Sequence, residues 1–411
     1  MDPIARPVPK PAPGPDDGVA EPALVTLDDI RHAADVIRGV VVRTPLLRFG
    51  PPLAADPVGR TRAWLKPESL QPIGAFKLRG AYYAIASLPP ERRAAGVVAH
   101  SSGNHAQGVA RAARLLGVRA VIVMPSDAPA VKVERVRADG AEIVVVGPSS
   151  EERAARAAEL AERDGLTMVA PYDDAATITG QGTIGLEIVE QLAELEAEAA
   201  RRSGVGHATS GAGRTTSGVG HATAGAAGAT DRAPTGGDPH LAAAGPARGA
   251  PSRFTVLVPV GGGGIASGVA TAVKLLAPGA TVLGVEPELA ADGRESLREG
   301  RIVIWPADRV GRTIADGQRT AHVGVIPFAH FRRHLDGIVA VSEDEIARAM
   351  VRASREARLV LEPSGATTLA AWLFHAAELP EDGPVVCILS GGNVDPERYE
   401  SLLARGIAAG G

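Results

Sequence analysis

What most constrains this chain is an alternation. Short runs rich in β-branched residues, VVAH (97–100), AVIVMP (120–125), EIVVVG (142–147) and TMVAPY (167–172), are separated by helix-patterned segments at 105–116, 130–137 and 151–163. β-Branched runs of this length suit extended strands, and apolar residues three and four apart suit one helix face. Strand–helix–strand repetition requires a crossover between neighbours, so the expected sheet is parallel and covered by helices. A second series follows: helix 183–200, strand FTVLVPV (254–260), helix 265–276, strand TVLGVE (281–286), helices 343–358 and 364–377, and strand PVVCIL (384–389). The expectation is an α/β protein of two lobes. Each has an open, mostly parallel twisted sheet flanked by helices, with its chemistry on loops at the strand C-terminal ends.

Two stretches fall outside this pattern. Residues 1–22 hold seven prolines and read as a disordered tail. Residues 203–252 hold three bulky aliphatics and a near-duplication (SGVGHATSGAG at 203–213, SGVGHATAGAA at 217–227), and read as a low-complexity insertion. The expected division is a large domain from 23–98 and 174–411, carrying the insertion, and a small domain from 99–173. A net charge of −4, with no basic half, argues against nucleic-acid binding. The single cysteine, Cys387, excludes a disulfide scaffold or a multi-cysteine zinc site. The N-terminus lacks an apolar signal-peptide core. The twenty uncharged residues from Phe254 to Val273 contain Pro259 and four consecutive glycines, which suits strand, loop and helix better than a membrane span. A soluble, cytoplasmic protein is expected.

Four segments could carry chemistry. PVGGGGIASG (259–268) follows a strand and opens a helix, so its backbone N–H groups can converge on a phosphate. Gly261, Gly263 and Ala266 also satisfy the dinucleotide pattern, with Glu286 where a ribose-binding acid would stand, so a nicotinamide dehydrogenase is a rival. GQGTIG (180–185) has similar spacing without a clear preceding strand. The second segment, ESLQPIGAFKLRGAYYAI (68–85), places Lys77 among apolar residues at a helix start. The chain uses only five lysines among 43 basic residues. Desolvation and a helix N-terminus both favour the neutral amine, which can form a Schiff base; a lysine snorkelling from a helix edge is the plainer reading. Third, HSSGNHAQG (100–108) offers small polar groups at a helix N-terminus, suiting a carboxylate or simply a helix cap. Fourth, Ser390 in LSGGNVD (389–395) could meet a ring nitrogen, or mark an ordinary turn.

Together, GAFKLRGA, SSGNHAQG, PYDD with GQGTIGLEI, PVGGGG, EPSGA and SGGNVD resemble, in order, the fold type II pyridoxal-phosphate enzymes of the threonine dehydratase and serine racemase family. The resemblance runs from about Thr26 to Asp395. It implies a large cofactor-binding domain and a small substrate domain. Lys77 would hold pyridoxal phosphate and act as base, Gly261, Gly262, Gly263 and Gly264 would grip its phosphate, Asn104 would meet the ring hydroxyl, and Ser390 would face the ring nitrogen. Ser101, Ser102, Gly103 and His105 would receive the substrate carboxylate. Ser102 stands where serine racemases keep a catalytic serine, and Arg153 matches a racemase-like or hydroxyaspartate-handling position. Glu286, Asp292 and the Ala290 carbonyl resemble a site for Mg²⁺ or Ca²⁺, whose oxygen preference they suit.

Tyr172 and its surroundings lie closer to the threonine dehydratases. The implied activity is α,β-elimination on L-threonine and L-serine, with serine racemase or 3-hydroxyaspartate dehydratase as alternatives within the family. The resemblance also implies a homo-oligomer, and no C-terminal regulatory domain is expected. The glycines at 74, 80, 103, 180–185, 261–264 and 391–392 are then expected in loops around cofactor and substrate.

Overall fold

A computed structural model describes residues 22–50, 63–101, 103–128, 130–147, 150–205 and 249–411. The expected tail and nearly all of the expected insertion lie outside these residues. The strands are β1 (Leu47–Phe49), β2 (Ala63–Pro67), β3 (Val97–His100), β4 (Ala120–Pro125), β5 (Glu142–Val146), β6 (Thr167–Met168), β7 (Thr255–Pro259), β8 (Thr281–Pro287), β9 (Gly337–Val341) and β10 (Val385–Leu389). The helices are α1 (Leu27–Val36), α2 (Lys77–Ala86), α3 (Pro90–Ala95), α4 (Asn104–Leu116), α5 (Ala130–Ala138), α6 (Ser150–Asp164), α7 (Ala175–Val205), α8 (Gly264–Leu276), α9 (Asp292–Glu299), α10 (Ala307–Val310), α11 (Val325–His334), α12 (Glu343–Arg352), α13 (Pro363–Phe374) and α14 (Pro396–Ala408).

Two sheets result, as the alternation requires. One has six strands in the order β1-β2-β10-β7-β8-β9, parallel except for β1, and the other has four parallel strands in the order β5-β4-β3-β6. Strands such as β4 and β10 are buried along their whole length, as expected where helices cover both faces. Ile30, Val189, Val269 and Phe331 pack on one face of the larger sheet, and Met350, Leu369 and Leu402 on the other. The smaller sheet is covered on one face by Leu78, Ile85 and Val109, and on the other by Leu160.

In each sheet the strand order reverses once, and these reversals place the site. In the smaller sheet β3 has β4 on one side and β6 on the other; in the larger, β7 and β10 lie side by side. Loops leaving such neighbours diverge and open a crevice at the strand C-terminal ends. These loops begin at Ser101, Val169, Val260 and Ser390, within three of the four candidate segments and the run into PYDD.

Three expectations need correction. The strand expected over 167–172 pairs only at Thr167 and Met168. Beyond it, the Val169 carbonyl turns to His105 Nε2 at 2.8 Å, and Pro171 has no N–H to offer a ladder. The helix expected over 343–358 ends its α-helical part at Arg352, continues as a π-helical turn over Ala353–Ala357, and stops at Arg358 with φ 60°. Finally, GQGTIG is no loop, because it lies inside α7. A side chain on Gly180 would strike the backbone of Gly80 in α2, and one on Gly185 would come within 2.8 Å of the Val269 carbonyl in α8. These glycines let three helices approach closely rather than gripping an anion.

Candidate active site

Lys77 opens α2, and the segment leading to it is stitched to the 390–392 turn. Phe76 N donates to the Ser390 carbonyl at 3.1 Å, Gly392 N donates to the Gly74 carbonyl at 2.9 Å, and Ala75 bridges Gly391. From the other sheet, α4 presses Gly108 against the Lys77 backbone, 3.2 Å from where a Cβ would stand. Lys77 Nζ donates to the Pro171 carbonyl at 2.7 Å and lies 5.1 Å from the centre of the Phe76 ring. Burial lowers its pKa from 10.5 to about 8. The amine is therefore accessible in its neutral, nucleophilic form near neutral pH.

The next residue along from Pro171, Tyr172, leads to the glycine loop. Its ring covers Gly262, where any side chain would run into it, and its Cα would stand 2.9 Å from a Cβ on Gly264. A side chain on Gly261 would press on Gln318, and one on Gly263 would meet Pro327. Gly263, at φ 99°, caps α8 in a conformation that favours glycine. The loop is thus bare backbone at a helix start, which is the chemistry a phosphate requires.

Asn104 begins α4, and both ends of its amide are engaged. Nδ2 donates to Glu362 Oε1 at 2.6 Å, and Oδ1 accepts from Asn393 Nδ2 at 2.8 Å. An amide nitrogen has two hydrogens, so one remains for a ligand. Glu362 is buried; burial first, then Asp316, raise its pKa to about 8. Although EPSGA belongs to the motif set, this glutamate had no assigned role in the sequence reading. Its local signal is a polar residue before Pro363 at a helix start.

Ser390 Oγ is buried and donates to the Ser364 carbonyl at 3.4 Å. Ser101 Oγ accepts from Gly103 N at 3.1 Å, holding the carboxylate loop in a tight turn. His105 is buried, and burial together with the Lys77 charge lowers its pKa to about 3, so it is a neutral imidazole. Arg153, on α6, acts on His100 at the end of β3, where its charge adds to burial in lowering the histidine pKa. Ser102 lies outside the described residues.

The cation site implied for Glu286, Ala290 and Asp292 gains no support. Glu286 Oε1 accepts from Gly293 N at 3.0 Å and Oε2 from Arg294 N at 2.8 Å, so both carboxylate oxygens already serve as a helix cap. Burial and Asp292 raise Glu286 well above the usual carboxylate range, and burial raises Asp292 to about 7. Among the described residues, no three His, Cys, Asp or Glu side chains assemble as a metal site.

The family model described as "Pyridoxal-phosphate dependent enzyme" matches residues 37–253 and 247–391. The chain belongs to this family. Its nucleophilic lysine, bare glycine loop and Asn104 donor fit pyridoxal phosphate, the cofactor expected of the family. Among characterised members, it is 35% identical to the L-threo-3-hydroxyaspartate ammonia-lyase of Saccharomyces cerevisiae, over 92% of this chain and 96% of the yeast one. It is also 35% identical to the L-threonine ammonia-lyase of Thermotoga maritima, over 94% and 80%. The solved structure of maize serine racemase has a TM-score of 0.72 at 30% identity, covering 94% of this chain and 99% of the maize one. This family member is therefore related to ammonia-lyases and racemases alike, on an α/β fold with parallel-rich sheets. No helix among its described residues is long and apolar enough to cross a membrane.

Proposed function

We propose that the protein is a pyridoxal-phosphate-dependent ammonia-lyase that acts on L-threonine, and on L-serine, by α,β-elimination. The observation that carries this reading is the buried amine of Lys77 at the meeting point of the glycine loop, the Asn104–Glu362 pair and Ser390. Bound pyridoxal phosphate supplies the electron sink that makes the substrate Cα–H acidic. Lys77 Nζ would be the amine that binds the cofactor, and when freed by the substrate amine it would be the base placed to take the Cα proton. Backbone N–H groups of Gly261–Gly264 would hold the phosphate, Asn104 Nδ2 would donate to the ring hydroxyl, and the neutral hydroxyl of Ser390 would meet the ring nitrogen without fixing a proton there. Ser101, Ser102, Gly103 and His105 receive the substrate carboxylate. The net change is loss of ammonia with conversion of the 3-hydroxy amino acid to a 2-oxo acid.

One observation favours a second substrate. The Arg153 charge at His100, beside the carboxylate loop, suits the extra carboxylate of L-threo-3-hydroxyaspartate. The similarity to the yeast enzyme points the same way. Incubation with each of the three hydroxy amino acids tests the reading. Equal amounts of ammonia and 2-oxo acid from L-threonine are expected, whereas D-serine in excess over pyruvate from L-serine would contradict it.

A further inference from the structure

The chain holds five lysines, and the structure gives most of those described a clear task. Lys66 is buried against Glu187, Lys274 pairs with Asp336, and Lys77 is the candidate nucleophile. Lys132 differs, because it reaches from α5, beside the smaller sheet, across the crevice to Asp316 of the larger lobe. Its Nζ lies 3.2 Å from Asp316 Oδ2, and its side chain is only 12% exposed. One turn along α5, Arg135 Nη1 donates to Asn393 Oδ1 at 2.5 Å, and Asn393 donates in turn to Asn104. The same face of α5 is thus fastened to the opposite wall at both positions.

This anchoring aims the ammonium at the loop assigned to the substrate carboxylate. Nζ stands 3.9 Å from where a Cβ on Gly103 would be. The loop brings no positive charge of its own among its described residues: Ser101 and Asn104 are neutral, and His105 is kept neutral. Arg153 acts on His100, at the end of the strand that leads into the loop. An ammonium has three donors, and Asp316 takes one. Backbone N–H groups alone would leave a substrate carboxylate with its charge uncompensated in a low-dielectric crevice.

We propose that Lys132 is the counter-cation of the substrate α-carboxylate, held in place by Asp316, and that it selects amino acids over simple amines. This rests on the assignment of the site to pyridoxal phosphate and an amino-acid substrate. A purely structural interlobe ion pair predicts instead that loss of Lys132 lowers stability without regard to ligand charge.

The test uses the holoenzyme and its visible absorption band, titrated with glycine and with methylamine. Both carry the reacting amine, but only glycine carries a carboxylate, and neither has a β-leaving group. Lys132→Gln is expected to weaken glycine about ten- to a hundredfold while methylamine changes less than about threefold. Lys132→Arg, which keeps the charge, is expected to recover most of the glycine affinity. Equal weakening of both ligands, or an unchanged glycine affinity, would overturn the proposal. A wild-type holoenzyme without the band would instead fail the underlying assignment to the cofactor.

Discussion

Lys77 owes its reactivity to burial, and burial sets a pH at which that reactivity should appear. With its pKa lowered to about 8, the neutral amine fraction rises through that pH and levels off by about pH 9. The rate at which apoenzyme takes up pyridoxal phosphate should follow the same curve. A rate still climbing tenfold per pH unit between pH 9 and 10 would show an ordinary, solvated lysine. Gly262 offers a second test at this scale. Gly262→Ala drives a methyl group into the Tyr172 ring, and overpacking of this kind costs about 1–3 kcal/mol. Cofactor affinity should fall with stability, as read by equilibrium dialysis and thermal unfolding. Glu362 shows why some of the site escaped a reading of residues alone. Its partner Asn104 lies in the other lobe and Asp316 and Gly391 are distant in sequence, so its hydrogen bond to Asn104 exists only once the two sheets face each other and its neighbourhood only once the chain is folded.

Among the elements, α2 is held by a buried set of charges that also fixes the direction of Lys77. Arg79 donates from Nε to Glu68 at 2.7 Å and from Nη1 to Glu187 at 2.6 Å, while Lys66 donates to the same Glu187 at 2.6 Å. Removing one partner strands a charge in the interior, so Glu68→Gln should cost about 3–5 kcal/mol in denaturant unfolding. At the other end of the larger sheet, His375 at the end of α13 lies between Glu345 of α12 and Glu378. The hydrogen bond to Glu345 is the main cause of a pKa raised to about 9, above the ordinary 6.5. The folded state therefore binds the proton more tightly than the unfolded chain. Its stabilising contribution is complete below pH 6.5 and disappears as pH rises through 9. Unfolding free energies measured across that range should decline in the wild type, and His375→Gln should flatten the decline. Most of the parallel strands were legible because their apolar runs are continuous, and α4 because its apolar residues recur three and four apart; β9, GIVAV, was missed. The strand β2, AWLKP, was not legible, since its lysine is buried only through partners on α7 and at Thr44. The glycines of α7 misled for a related reason: spacing alone does not separate a phosphate turn from close helix packing.

For the whole molecule, the alternation of strands and helices was enough to anticipate two lobes, each with a parallel sheet and its chemistry on the loops at the strand C-terminal ends; the crevice between them was not anticipated. Nor was the pairing across it, because Lys132–Asp316 and Asn104–Glu362 join segments more than 180 residues apart. Both lobes contribute to the proposed site, and its central claim is a single covalent attachment at Lys77. The most direct measurement is the absorption spectrum of the purified protein with pyridoxal phosphate, before and after borohydride. The account predicts a visible band that borohydride removes, leaving the cofactor fixed on Lys77 by peptide mass analysis, and no such band in Lys77→Ala. A band that persists in Lys77→Ala, or reduction that labels another lysine, would contradict it.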